Sequence, residues 1–224
     1  MTEAHPAVAN PQAAPAIEWV RPPVQDRSQR TLLRLLDATA VLLDERPFEA
    51  IGVTDIVKRA NSSVGAFYAR FSSKDAVLHS LHERYNDELR ATADRALEPT
   101  AWDGVPFPEV TARFCEFVVQ SHIQQAGLRR ALLMASARDD VHRARDIELG
   151  TFVAGRIACL LERRRTDITH DDPALASDFI HRILFSILDQ ALIFDGTPAG
   201  RRLDPDQMSA QLNRTLLGYL GTQP

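Results

Sequence analysis

Apolar residues recur at helical spacing along most of this 224-residue chain, and no run of alternating Val, Thr and Tyr is long enough to predict a sheet. Between Arg27 and Asp44, Leu32, Leu33, Leu35, Leu36, Ala40, Leu42 and Leu43 follow the helical period, with Arg34 and Asp37 between them. Pro47 has no amide proton to donate, so this helix should stop near it, with Phe48 and Ile51 plugging the core at the turn. Thr54 is placed to cap a short helix over 55–60, because its hydroxyl can accept a free amide and Asp55 suits the positive helix end. Asn61 and Ser62 break the pattern. Ser63 can cap a second short helix over 64–70, and Phe71 packs behind it. Ser72 and Asp75 have the spacing of a capping box, which opens a long helix reaching Ala96.

The remainder continues the helical pattern. Residues 102–108 hold Gly and two prolines and form a loop, and helices are expected over 110–125, 128–137 and 141–165, with a bend allowed at Gly127. Glu162-Arg163-Arg164-Arg165 sets cations at the negative end of the third of these helices. Asp171-Asp172-Pro173 opens another helix ending at Gly196 and Pro198, and Pro205 opens the last. The expectation is an all-α chain: a helix-turn-helix head at 25–80 on a long connecting helix, then a helical bundle at 81–220. Residues 1–24 carry five prolines and many alanines and predict a disordered tail.

The bundle's last two long helices are apolar on more than one stripe. Ile180, Leu184, Ile187, Leu188, Ala191 and Leu192, with Met208, Leu212 and Leu216, suit a bundle core that also meets a second copy of the chain.

Composition narrows the setting. The chain lacks the basic start and apolar core of a signal peptide and any run of 18 uncharged apolar residues, so a cytoplasmic protein without membrane contact is expected. Cys115 and Cys159 fall within helical patterns and are expected to be buried, reduced thiols. The net charge of −4 divides unevenly: residues 24–80 carry about +1, and residues 81–224 carry −4. A weakly positive head can bind DNA if its cations share a face, whereas indiscriminate coating of nucleic acid is disfavoured.

Signs of catalysis are thin. GxGxxG, the Walker lysine motif, HExxH and the nucleophile elbow are all missing. Glu162, His170, Asp171 and Asp172 gather near a helix junction, and His142 stands four residues before Asp146, but solvated helix surface explains both groups. Neither enzyme activity, metal nor cofactor is expected. A helical protein-interaction adaptor with a vestigial head is the alternative.

The head carries a specific resemblance. Leu32, Leu35, Ala38, Phe48, Val53-Thr54-Asp55-Ile56-Val57, Ala60, Val64-Gly65, Phe67-Tyr68, Phe71, Lys74-Asp75 and Leu78 resemble the DNA-binding domain of TetR-type transcriptional regulators. The match ends near Leu81, and the later helices resemble the family in order, length and apolarity. Two positions depart from it. Arg46-Pro47 stands where the family carries Gly, and Ala60-Asn61-Ser62-Ser63 replaces Ala-Gly, a hydrophobic residue and Ser. Asn tolerates the left-handed conformation such a turn requires, while Ser62 replaces an apolar plug.

The residues themselves make Ser63, Val64, Gly65, Ala66, Tyr68 and Arg70 recognition candidates, with small Gly65 and Ala66 permitting close approach to bases. The resemblance implies that Tyr68 and Lys74, and with them Thr54, contact phosphates; Lys58 is a further candidate. It also implies a small-molecule cavity in the bundle whose occupation changes the separation of two heads. Two copies suit a palindromic double-stranded operator, a dimer covering a promoter suits a repressor, and mostly apolar candidates suit a small hydrophobic effector. Twelve residues are candidates to line the effector's cavity: Trp102, Phe114, Cys115, Phe117, Val118, His122, Met134, Arg138, Phe152, Phe179, His181 and Phe185.

Overall fold

The computed structural model describes residues 26–194 and 201–222. The tail expected at 1–24 and the helix stop expected at Gly196 and Pro198 lie outside the described residues. The elements that are described are helices: α1 (Asp26–Glu45), α2 (Val53–Arg59), α3 (Val64–Tyr68), α4 (Lys74–Ala96), α5 (Phe107–Gln124), α6 (Ala126–Ser136), α7 (Asp140–Arg163), α8 (Pro173–Phe194) and α9 (Pro205–Leu220). Short 3-10 turns stand at Phe48–Ala50, Pro99–Trp102 and Arg165–Asp167.

The first three helices close over a dry centre. Leu35, Ile51, Ile56, Phe67 and Phe71 are all fully buried, and the rings of Phe67 and Phe71 lie 5.3 Å apart. Ion pairs such as Arg46 with Asp55 and Arg59 with Glu45 sit on the rim, and exposed pairs of this kind add about 0–1 kcal/mol each. The two helix starts are shifted from expectation. Thr54 lies inside α2, whose cap is Gly52, and the Gly52 amide donates to Asp55 Oδ2 at 2.9 Å. Asp55, rather than Thr54, therefore accepts the amide at this helix start. Ser73 rather than Ser72 caps α4, accepting from the Ala76 amide at 3.1 Å.

In the body α5 packs along α9, α7 along α8 and α4 along α7, while α6 wedges between α1, α7 and α8. The bend expected at Gly127 occurs instead at Gln125, between α5 and α6. Gly127 serves another purpose. A Cβ there would stand 2.4 Å from the Leu43 carbonyl oxygen, so only glycine lets α6 touch the end of α1 backbone to backbone.

Burial revises the interface expected from apolarity alone. Ile180, Leu184, Leu188, Leu212 and Leu216 are buried within this one chain and are closed to a partner. Ala191, Leu192 and Met208 are half-buried, and Ile187 is 38 % exposed. Exposed apolar surface on α8 runs instead through Leu175, Phe179 and Ile187 to Phe194, with half-buried Ile183 between. The cysteines also separate. Cys115 is buried, and burial pushes its thiol up to about 12, whereas Cys159 is exposed, contrary to expectation.

Candidate nucleic-acid interface and body cavity

The turn between α2 and α3 fixes how the head presents itself. Asn61 adopts φ 46°, the left-handed conformation that this position requires. The following Ser62 amide donates to the Val57 carbonyl at 2.8 Å. Ser63 then caps α3 by accepting the Ala66 amide at 3.1 Å. Helix α3 therefore turns Phe67 into the core and leaves Ser63, Val64, Gly65 and Tyr68 exposed on the other side. Thr54 and Lys58 are exposed on α2, while Ala66 and Arg70 are half-buried.

Lys74 departs from its expected role. Its ammonium donates to the Phe48 carbonyl at 2.9 Å and the Ile51 carbonyl at 3.1 Å, and lies 4.3 Å from the centre of the Phe48 ring. It ties the start of α4 to the turn after α1, so a phosphate would have to share it with these two carbonyls.

The seam between α4 and α7 joins head to body. His79 and His82 on α4 meet His142 on α7: the His79 and His142 rings stack with centres 4.1 Å apart, and His82 Nδ1 and His142 Nδ1 share a 2.7 Å hydrogen bond. His142 and Asp146, expected to be solvated, are instead packed into this seam. Burial, reinforced by the neighbouring imidazoles, pushes His142 down to about 4, and burial also lowers His79. Both rings are therefore neutral near pH 7.

Ligand atoms of His79, Asp139 and His142 lie within 4.8 Å of one another, the spacing of a metal site. The stacked rings, only 11° from parallel, share no in-plane point at which one ion could bond both. An Arg145 N–H also faces His79 Nδ1 at 3.3 Å. The geometry is that of an imidazole stack. Two of the polar groups noted near that junction make structural contacts: Asp172 Oδ1 accepts the Leu175 amide at the start of α8, and the His170 ring lies beside that of Tyr219.

Beyond the seam lies a cavity of about 180 Å³ between α4, α5, α7 and α8. Six of the twelve expected residues line it: Phe114, Phe117, Val118, His122, His181 and Phe185. The others stand elsewhere. Cys115 is in solid core, the Trp102 indole donates to the Ala96 carbonyl, Arg90 covers the Phe152 ring, and Phe179 lies on the surface beside Tyr219. Met134 and Arg138 border a separate cleft of about 430 Å³ between head and body.

Sequence reading missed the α4 wall, formed by Tyr85, Leu89, Thr92, Ala93, Ala96 and Leu97, and the polar end, formed by Arg129, Asp146 and Asp189. Arg129 Nε and Nη2 donate to Asp189 at 3.0 and 2.8 Å, and Nη1 donates to Asp146 at 2.9 Å. Burial pushes the Asp146 carboxyl up, but contacts from His82 and Arg129 outweigh it and hold the group at about 2. Asp189 is also lowered, its burial outweighed by contacts with His122 and Arg129. Both carboxylates are ionised at neutral pH.

A small helix-turn-helix head with a solvent-facing α3, keyed by a long helix to a hollow helical body, defines a DNA-binding regulator. Two family models match the chain: "Bacterial regulatory proteins, tetR family" over residues 35–81, and "Tetracyclin repressor-like, C-terminal domain" over residues 106–220. The second spans half of the chain, so this protein belongs to the TetR family, and its likeness does not end at Leu81 as the head motifs suggested.

Solved structures agree in fold. A protein described as a TetR-family regulator of Mesorhizobium loti aligns over 88 % of this chain and 98 % of its own, with TM-score 0.72 and 14 % identity. Escherichia coli NemR in its reduced form aligns over 86 % and 98 %, with TM-score 0.65 and 17 % identity. Bacillus subtilis FadR, solved with stearoyl-CoA, aligns over 84 % and 98 %, with TM-score 0.62 and 16 % identity. Among curated proteins, no sequence matches this chain. Among the described residues, no helix is long and apolar enough to cross a membrane.

Proposed function

We propose that this protein is a homodimeric repressor that binds a palindromic operator through residues 25–80 and releases it when a small molecule enters the cavity of residues 81–220. The observation that carries this reading is the double role of α4. Its first turns are locked into the head by Lys74, Val77 and Leu81, and its last turns wall the cavity. A ligand that favours one position of α4 lowers operator affinity by linkage.

On DNA, α3 enters the major groove with Ser63, Val64, Gly65, Ala66 and Tyr68, while Thr54, Lys58 and Arg70 approach phosphates. Lys74 positions this surface and makes a phosphate contact at most through its remaining N–H. Few of these side chains suit paired hydrogen bonds to a base, so operator shape carries part of the discrimination. The dimer forms on the exposed α8 stripe of Leu175, Phe179, Ile183 and Ile187. The described cavity is too small for a ligand of the size of stearoyl-CoA. It suits about one aromatic ring with a short chain, since cavities near 150 Å³ hold benzene.

Selection from a randomised duplex pool with the purified protein, followed by titration of the winner across salt concentrations, tests the reading. A palindrome whose affinity falls steeply with salt is expected. Failure to enrich any sequence, with only feeble salt-sensitive binding, overturns it.

A further inference from the structure

Tyr85 is a buried phenol that makes no hydrogen bond with any other described residue. It stands on α4, is 6 % exposed and lines the cavity. A smaller cleft beside Gln124 also borders it, but the charges acting on the phenol are Arg129, Asp189 and Asp146, which sets its oxygen at the polar end of the cavity. Those charges have partners of their own: Arg129 donates to both carboxylates, and Asp146 also accepts from Ser136. Burial raises the pKa of the phenol, so Tyr85 keeps its proton at neutral pH. A hydroxyl donor taken out of water needs an acceptor. Position gives this one a use. Leu81, about one turn earlier on α4, is fully buried in the head, and Ala93, about two turns later, lies in the cavity wall. A bond to Tyr85 therefore takes hold of α4 between the head and the far end of the cavity.

We propose that the Tyr85 hydroxyl anchors the effector by donating a hydrogen bond to the carbonyl oxygen of a lipophilic molecule of about one ring, an aryl ketone or ester, whose apolar body lies against Leu89, Phe114, Val153 and Phe185. The inference rests on the cavity being the effector site and adds the ligand's chemical class and the residue that reads it. A carbonyl oxygen accepts without bringing a proton, whereas an alcohol adds a second donor that needs an acceptor of its own. A hydrocarbon of the same shape leaves the Tyr85 hydroxyl unmet.

The test is calorimetric titration of the full chain with acetophenone and with 2-phenylpropene, which carries a CH2 group in place of the carbonyl oxygen. The ketone is expected to bind roughly 10-fold more tightly than the hydrocarbon. In Tyr85→Phe, which keeps the ring and removes the oxygen, the ketone should fall to the hydrocarbon's affinity. The hydrocarbon's affinity and the melting point should stay as in the wild type. Ala93→Phe, which fills the cavity from α4, should abolish binding of both probes, and Val153→Phe supplies the same control from α7 if the first does not fold.

Hydrocarbon binding at least as tightly as the ketone, and lost in the filled variant, overturns the hydrogen bond while the cavity keeps its role. A ketone preference that survives Tyr85→Phe overturns it too. Binding that persists in a folded, filled variant, or no binding by either probe, removes the cavity reading and the proposal together.

Discussion

The head and the body solve the problem of a helical core in opposite ways. In the head the centre is hydrocarbon, with Leu35, Ile51, Ile56, Phe67 and Phe71 in contact and ion pairs such as Arg46 with Asp55 on the rim. In the body a guanidinium, two carboxylates and several imidazoles lie among the apolar residues, beside a void. A dry, filled core has one good packing, which suits a part that must hold α3 in a fixed pose. A polar centre with free volume can exchange partners, which suits a part that must respond to a ligand.

The first test of this contrast is Arg129→Met. Removing the shared cation leaves two half-buried carboxylates without it, and a loss of about 3 kcal/mol is expected in denaturant unfolding. Phe67→Ala should cost about 3–4 kcal/mol through a cavity in the head, with loss of operator binding while the cavity ligand still binds. If Phe67→Ala weakened ligand binding as much as DNA binding, the two cores would form one cooperative unit and the contrast would fail.

Acid probes the seam between them. His142 is held near 4 in the fold, below the value of about 6.5 for a free imidazole, so the unfolded chain takes up a proton first as pH falls. Stability that is full above pH 6.5 should decline from there to about pH 4, by at most about 3 kcal/mol, and His142→Gln should flatten the profile of melting temperature against pH. The smallest effect concerns Ser62, half-buried in the turn before α3. Ser62→Leu should raise the melting point of the head by the equivalent of about 0.5–1 kcal/mol. A lower melting point would show that residue 62 does not face the core.

These regions were unequally legible in the sequence. In the head, most apolar residues announced their role by spacing, though Leu33 of the same pattern is exposed, and Asn61 and Ser63 declared the turn and the cap that the structure shows. The helix starts there were off by a residue or two, at Thr54 and Ser73, because several polar residues in a row can each serve as a cap, while Lys74, read as a phosphate contact, proved to tie two backbone carbonyls. The body hid its centre. Arg129, Asp146 and Asp189 are typical surface residues, and only their convergence from α6, α7 and α8 places them inside. The α4 wall was missed because a connecting helix gives no local sign that its far end lines a cavity. Buried Leu184 and exposed Ile187 lie three residues apart on an evenly apolar helix, so periodicity could not assign them to core or interface.

The contact at Gly127 has a mechanical consequence. At the joint of α1 and α6 the Gly127 backbone lies against the Leu43 carbonyl, and the Gly127 amide also donates to Asp44 Oδ1 at 3.3 Å. A close backbone contact of that kind leaves little play. His79 and Ala93 are separated along α4 by about 21 Å of helix, so a sideways push of about 1 Å at the cavity wall would turn the helix by about 3°. A joint that close would pass most of that angle on to the head.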